Sequence, residues 1–435
     1  MFDYRSLRVA LLGAGTVGAQ VARLLLEESD ELANRIGARL ELVGIAVRDV
    51  DAPRDVDLPR ELFTTDAERL ILGADIVVEL MGGLEPARSL VLQAIGSGAD
   101  VVTANKALLA THGVEIFDLA EQVGAQVAYE AAVAGAIPII RPLSESLAGD
   151  RVERIVAILN GTTNFILDRM DSTGETLEES LAIATELGYA EADPTADIEG
   201  YDAAQKAALL ASLAFHTTVP LDQVHREGIT TVDAAQVDSA KKQGYVVKLV
   251  AVCERVPGED GTERISVRTH PALIDGRHPL AAVHGANNAV FVEAAAAGQL
   301  MFYGAGAGGP QTASAVLGDL VAVARRHVVG GPGLVASDHA ALPIVPIGDI
   351  CTSSQITLEV ADRAGVLAEI AGVFAANGVS VARLEQSTDP NTGRATLVIG
   401  THAARERALA DTVAALSQSS AVVAVASVLR VEGTK

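Results

Sequence analysis

Over the first 132 residues, short apolar runs alternate with stretches of helical spacing. LRVALL (7–12), LELVGIAVRD (40–49), ADIVVELMGG (74–83), DVVTANK (100–106) and AQVAYEAA (125–132) read as strands. The segments after the glycines at 13–18, ARSLVLQAIGSG (87–98) and GVEIFDLAEQVG (113–124), read as helices. Strands alternating with helices predict a parallel, doubly wound sheet. Residues 131–330 mix helical and strand patterns with few breaks, and their last helix is free to pack back on the first part. Residues 331–349 are rich in proline and glycine and read as a linker. A compact pattern follows over 350–435. SQITLEV (354–360) alternates, and Val366, Leu367, Ile370, Val373 and Phe374 have helical spacing up to Asn377-Gly378. Two strand patterns then flank STDPNTG (387–393), a hairpin signal, and a helix and a last strand close the chain. The order βαββαβ predicts a ferredoxin-like unit. The linker predicts units that move against each other, so that the last one can be deleted with catalysis kept.

The length of 435 residues suits two or three domains with their own cores. A net charge of −23 makes nucleic acid and anionic lipid improbable partners. The two cysteines, Cys253 and Cys351, lie far apart, which fits a reducing cytoplasm and neither a disulfide framework nor a zinc cluster. The arginines before VALLGAG look like the start of a signal peptide, but the apolar run is too short. AAVAGAIPII (131–140) is also too short to span a bilayer.

Gly13-x-Gly15-x-x-Gly18 follows a strand and opens a helix. In that context it predicts a Rossmann-type dinucleotide-binding domain over 1–130, with a pyrophosphate held at the helix N-terminus by Gly13, Gly15, Thr16, Val17 and Gly18. At the end of the second strand stand Ala46, Val47 and Arg48. Arginine there suits the 2′-phosphate of NADP, where NAD would want an acid; Asp49 follows, so NAD stays possible. Thr103 and Lys106 end another strand of the same sheet, where ligands gather.

The stretch AEADPTADIEGYDAAQK (190–206) packs five carboxylates ahead of one lysine. It is not an EF-hand loop: counted from Asp193, the sixth position is Ile198 and not glycine. Residues 203–215 are almost wholly apolar, which predicts a buried helix with Asp202 and Lys206 on one face at i, i+4. A buried lysine needs a partner and loses its proton readily, as a donor to a carbonyl oxygen must. A structural ion pair explains the two residues equally well on sequence alone.

Ala184, Gly188-Tyr189, Asp193-Pro194, Asp197, Gly200-x-Asp202 and Lys206 resemble the signature of the homoserine dehydrogenases. TANK (103–106), EAAVAGAIPIIRPL (130–143), ILNGTTNFIL (158–167) and YGAGAGGPQTASAV (303–316) also look like segments of that family. ADRAGVLAEIAGVFAANGVSV (361–381) resembles the opening of an ACT domain, a small-molecule sensing unit. The resemblance implies NAD(P)H-dependent interconversion of aspartate 4-semialdehyde and homoserine, on the route to threonine, methionine and isoleucine. It makes residues 131–330 a catalytic and dimerisation domain and the chain a dimer or tetramer. Lys206 would then be the proton donor, Asp202 its orienting partner, and Glu191 the acceptor of the substrate ammonium. Asp197 would also line the substrate, and Lys106 would hold substrate beside the nicotinamide. Gly188 and Gly306 would line the cofactor. Glu130, with the main-chain oxygens of Val133, Gly135 and Ile137, would hold sodium or potassium. An amino-acid effector, with threonine the first expectation, would meet Asp362 and Asn377. Asp193 and Glu199 read as loop-structuring acids. Two other readings compete. An acylating aldehyde dehydrogenase needs a cysteine placed beside a base, and neither cysteine is so placed. A non-catalytic amino-acid or nucleotide sensor would have no need of Lys206 and Asp202 together.

Overall fold

The computed structural model of the chain describes residues 5–258, 261–330, 340–389 and 394–433. Most of the expected linker (331–339) and the hairpin turn at 390–393 lie outside the described residues. The chain forms two compact units.

The first unit runs through Val152 and adds Gln205–Leu221 and Asn287–Ala341. Its strands β1 (Ser6–Leu12), β2 (Arg39–Ala46), β3 (Phe63–Thr64), β4 (Ile76–Glu79), β5 (Asp100–Thr103) and β6 (Val127–Ala128) make one parallel sheet in the order β3-β2-β1-β4-β5-β6. The order reverses between β1 and β4, which opens the ligand crevice of a doubly wound fold at their carboxyl ends. Helices α1 (Thr16–Glu27), α2 (Ser29–Ile36), α3 (Ala67–Ile71), α4 (Ala87–Gly96) and α5 (Lys106–Val123) connect or follow these strands. Helices cover both faces, so β1 is buried from Val9 to Leu12 without alternation.

Two features join this unit beyond residue 130, and the second meets the expectation that the last helix packs back on the first part. The Glu130 carboxylate accepts the N–H groups of Ile139, Ile140 and Arg141 and so ties that segment to the first unit. Helix α11 (Gly309–Val329) sends Ala313, Val316, Leu320 and Val323 into the same core as Leu7, Val9, Leu11, Val21 and Leu25.

The second unit comprises Glu153–Ala204, Asp222–Ala286 and Leu342–Lys435. It holds α6 (Gly161–Thr173), α7 (Leu177–Glu186), α8 (Thr195–Ile198) and α10 (Ala234–Lys242). Strands β9 (Tyr245–Pro257) and β10 (Glu263–Asp275) pair antiparallel along their whole length; β7 (Val152–Ile158) adds to β9 and the short β8 (His225–Arg226) to β10. Strands β11 (Asn287–Ala294) and β12 (Gly298–Ala305) form a hairpin in the first unit.

The C-terminal part is βαββαβ as expected: β13 (Cys351–Ala361), α12 (Val366–Ala376), β14 (Val381–Asp389), β15 (Arg394–Thr401), α13 (Glu406–Gln418) and β17 (Val422–Glu432), with a short β16 (Ala404–Arg405) before α13. Its antiparallel strands lie in the order β17-β13-β15-β14, over a core of Ile356, Leu358, Ile370, Phe374, Leu397 and Leu416. Leu367 leaves the expected core pattern and is exposed.

One expectation needs correcting here. The C-terminal part is not an independent body on a linker. Strand β17 pairs in parallel with β10, Ala272 to Arg430 through Ile274 to Glu432. Glu432 is buried there against Arg154, Arg268 and His270. Hydrogen bonds and buried charge therefore make one sheet of what the sequence suggests are two domains. No helix among the described residues is long and apolar enough to cross a membrane.

Candidate active site

The three glycines after β1 do three different things. Gly13 turns the chain at φ +100°, and a Cβ there would lie 2.8 Å from the Leu80 carbonyl oxygen. Gly18 packs so close that a Cβ would meet the Gly13 carbonyl at 2.1 Å. Around Gly15 nothing lies within 4 Å of a Cβ position, so that face is open. Gly15 also caps α1, with no side chain taking up the N–H groups of the first turn, which begins Thr16-Val17. A tight turn, an open approach and an uncapped helix N-terminus are what a pyrophosphate requires. Beside it, a Cβ at Gly309 would lie 3.0 Å from Thr16, so the start of α11 closes on the same loop.

The Ala46 carbonyl accepts the Gly13 N–H at 2.9 Å and fixes the end of β2 against the loop. Two arginines follow it. Arg54 is held by the carbonyls of Asp49, Val50 and Ala52 and lies over the Phe63 ring. Arg48 is exposed and makes no hydrogen bond among the described residues. Asp49 accepts the N–H of Asp51. The acid is thus turned to the loop, and the free guanidinium is Arg48.

Sequence reasoning missed Glu79, at the end of β4. It is fully buried; one oxygen accepts the N–H groups of Met81 and Gly82, and the other accepts the Thr103 hydroxyl at 2.7 Å. Its only signal was an acid closing an apolar strand. Thr103 also accepts the Asn105 N–H, so its hydroxyl is tied on both sides to the protein. Asn105 caps α5 through the Leu108 N–H and also donates to the Gly83 carbonyl. Lys106, half-buried, is the first residue of that helix.

In the second unit the acidic stretch divides. Asp193 accepts the Thr195 N–H and shapes the loop. Glu191 is exposed and makes no hydrogen bond among the described residues, and Gly188 is exposed at φ +76°. Asp197 and Asp202 are brought together by Asn160, whose amide donates to Asp197 at 2.6 Å and to Asp202 at 3.0 Å. The Asn160 oxygen caps α6 through the Thr163 N–H. The cap was legible in NGTTN; the second role, which spans 42 residues, was not. Helix α9 (Tyr201–Phe215) carries Asp202 and Lys206 one turn apart, both 8% exposed. Below α6, the buried Lys248 donates to Asn164 at 3.0 Å and to the Val283 carbonyl, and burial pushes its ammonium down to about 8.

At the expected cation loop the Glu130 side chain is already engaged. Both Glu130 oxygens are taken: one by Ile139 and Ile140 at 2.5 and 2.6 Å, the other by the N–H and guanidinium of Arg141 at 3.1 and 3.0 Å. The carboxylate is thus held by three main-chain N–H groups and an ion pair with Arg141. Its own N–H donates to the buried Asp319, which burial pushes up to about 7. The buried carbonyls of Val133, Gly135 and Ile137 accept no hydrogen bond among the described residues. Gly135, at φ +64°, would with a Cβ meet the Gly306 carbonyl at 2.3 Å, so only glycine fits against the end of β12. Among the described residues no cluster of three His, Cys, Asp or Glu side chains suits a metal ion. Cys253 is buried, which pushes its thiol up to about 12 and removes it as a nucleophile.

In the C-terminal part, a cleft of about 350 Å³ lies between the end of β13 and the start of α12, lined by Asp362, Gly365, Leu367 and Gln386. Asn377 is not among its lining residues. Its amide donates back to the Val373 carbonyl as a helix C-cap. Of the two residues expected to meet an effector, Asp362 lines this cleft and Asn377 does not.

Residues 13–130 match the family profile "Homoserine dehydrogenase, NAD binding domain", 138–321 match "Homoserine dehydrogenase", and 354–420 match "ACT domain". A homoserine dehydrogenase of Corynebacterium glutamicum is 52% identical over 98% of this chain and 95% of its own. That of Mycobacterium tuberculosis is 52% identical over 99% of both. The crystal structure of a homoserine dehydrogenase from Thiobacillus denitrificans superposes with a TM-score of 0.90, at 38% identity over 98% of each chain. A hyperthermophilic archaeal homoserine dehydrogenase in complex with NADPH matches with a TM-score of 0.62 and 29% identity, over 76% of this chain and 99% of its own.

Proposed function

The chain belongs to the homoserine dehydrogenase family of oxidoreductases, and from that premise we propose how its own residues carry the reduction of aspartate 4-semialdehyde to homoserine. A bound dihydronicotinamide supplies the hydride for the aldehyde carbon. Lys206 gives the carbonyl oxygen its proton and takes it back in the reverse direction. Asp202 orients Lys206 from one turn away and, with Glu191 and Asp197, receives the substrate ammonium. Lys106 pairs with the substrate carboxylate. Asn160 fixes the two aspartates, and Glu79 shapes the loop after β4 and holds Thr103 in place. The observation that supports this reading most is the Asn160 amide, which gathers two carboxylates at the start of the helix that carries Lys206. Such a cluster suits an ammonium group, and one well-placed acid beside it suits an aldehyde being reduced.

The purified chain should oxidise NADPH when given aspartate semialdehyde. Binding of nucleotide without turnover would instead make it a sensor. The same assay bears on two further assignments. The carbonyls of Val133, Gly135 and Ile137 hold sodium or potassium, with Glu130 bracing the loop through its side chain, so replacing both ions by a bulky organic cation should lower activity. The cleft beside Asp362 takes threonine as effector, so millimolar threonine should inhibit. Unchanged rates in either arm remove that assignment.

Arg48 reads the 2′-phosphate. Arg48→Ala removes a charge-assisted contact worth ~1.5–3 kcal/mol, so NADPH should bind ~10–100-fold more weakly while NADH binding changes little. Equal losses for the two nucleotides would leave Arg48 without that role.

A further inference from the structure

Between α9 and α10, residues 224–229 do nothing in the chemistry above, yet they grip the chain just ahead of Asp202. Strand β8 pairs with β10, His225 to Arg268 and Arg226 to Thr269. From there the Arg226 guanidinium lies 3.5 Å over the Tyr201 ring and donates to the Glu199 carbonyl. The Ile229 N–H donates to the Ile198 carbonyl at 2.7 Å. Gly228 comes so near that a Cβ would lie 2.3 Å from the same carbonyl oxygen, and one at Gly200 would lie 3.2 Å from the Glu227 carbonyl. Four residues, 226–229, thus hold the backbone of 198–201 by two hydrogen bonds, a cation–π contact and two close glycine approaches.

The loop is itself tied to the C-terminal part. One oxygen of Glu227 accepts from Arg430 of β17 at 2.9 Å, and the other lies 2.7 Å from His225. Arg430 is anchored behind by a two-fold pairing with Glu406, both bonds 2.9 Å. Glu406 also accepts the Thr352 hydroxyl. Bidentate pairing with Glu406 already meets the needs of Arg430 within its own fold. The third bond, to Glu227, is made outside it.

We infer that Arg226 and Glu227 are positioning residues for the substrate helix, and that Arg430 is the tie by which the C-terminal part sets the place of Asp202. This rests on the reading of Asp202 as a substrate contact. Because the grip falls on 198–201, a loosened tie displaces Asp202 first and Lys206, a turn further on, less. The loss therefore appears in KM for homoserine more than in kcat. Small misplacements of binding groups have large kinetic effects. The tie also gives an effector in the C-terminal part a physical route to substrate affinity, since β17 and β13 are neighbours, Ser354 opposite Arg430.

Full-length Glu227→Gln, Arg430→Gln and the double variant test this with homoserine and NADP⁺. Wild-type turnover of homoserine is the reference, and its absence would strike the functional reading rather than the tie. Each single variant should raise KM for homoserine about tenfold, with the nucleotide Kd within about twofold and kcat less affected. The double variant should be no worse than the worse single one, because both cut one tie. Unchanged KM in both single variants, or losses that multiply in the double, would overturn the inference. If Arg430→Gln does not fold, Glu227→Gln against Glu227→Asp serves instead. The shorter acid keeps the charge and should restore most of the KM; failure to do so counts against the tie.

Discussion

Lys206→Ala should lower kcat by at least ~10²-fold, as expected for a lost general acid, while NADPH still binds. The lysine is 8% exposed on a helix that is otherwise apolar over its middle turns, and Asp202 stands one turn before it. A surface lysine in the same position would contribute under ~1 kcal/mol through its ion pair, and its loss would leave turnover intact. The two readings that the sequence left open therefore diverge by two orders of magnitude in one experiment. Stopped-flow measurement of NADPH oxidation, with nucleotide binding followed by fluorescence, separates them. Near-wild-type turnover would reduce Lys206 to a structural partner of Asp202. Asn160→Ala should fall in between, because it frees the two aspartates without removing the acid.

The second large effect is on stability. Glu432 is 5% exposed and meets Arg268 at 2.8 Å, Arg154, and the ring of His270 at 3.5 Å. Behind them, Glu254 takes the other arm of Arg268 at 2.6 Å and Arg154 at 3.2 Å. Burial alone would push the Glu432 carboxyl up, but Arg268, His270 and Arg154 outweigh it and hold it below the ordinary carboxylate value. Glu432→Gln leaves two buried arginines to share Glu254, and breaking a buried pair in this way costs ~3–5 kcal/mol. A urea titration should show it as a lower midpoint with an unchanged slope. The pH dependence has a definite sign. A depressed carboxyl stabilises the fold above its unfolded value, about 4.3, and that contribution is lost as pH falls through the folded value. Burial likewise lowers the His270 value. Its neutral form is therefore favoured in the fold, and it adds to the loss below about pH 6.5. Wild type should lose stability on acidification below neutrality, and Glu432→Gln should lose less. A midpoint within the error of wild type at pH 7 would show that the cluster contributes little. The cluster also bears on deletion of the C-terminal part. Cutting before β13 removes Glu432 and uncovers the edge of β10, so lost threonine sensitivity in such a fragment would mix regulation with damage. A substitution at Asp362, in the cleft, is the cleaner probe.

The sequence by itself determined what is local in the chain. The glycine loop was legible because its turn, its open face and its helix start are built from six consecutive residues. The shared face of Asp202 and Lys206 follows from helical period, and the βαββαβ order from apolar spacing. The family resemblance gave roles to Asp202 and Lys206, already singled out by these patterns, and by itself named Gly188, Gly306, Glu130, Val133, Gly135 and Ile137. Tertiary structure decided which polar groups remain free. Thr103 and Glu130 have the right chemistry for ligands, but Glu79 and the N–H groups after Pro138 take up their side chains. Asn377 closes its own helix and does not face the cleft. Asn160 and Glu79 join the site through partners 24 to 42 residues away, a distance over which no periodicity operates. The same limit applied to the C-terminal part. A proline- and glycine-rich stretch suggests separation, but the pairing of β17 with β10 and the charge buried under it are long-range. They arise only where folding brings Arg154, Glu254, Arg268 and Glu432 to one place and removes the water that would otherwise screen them.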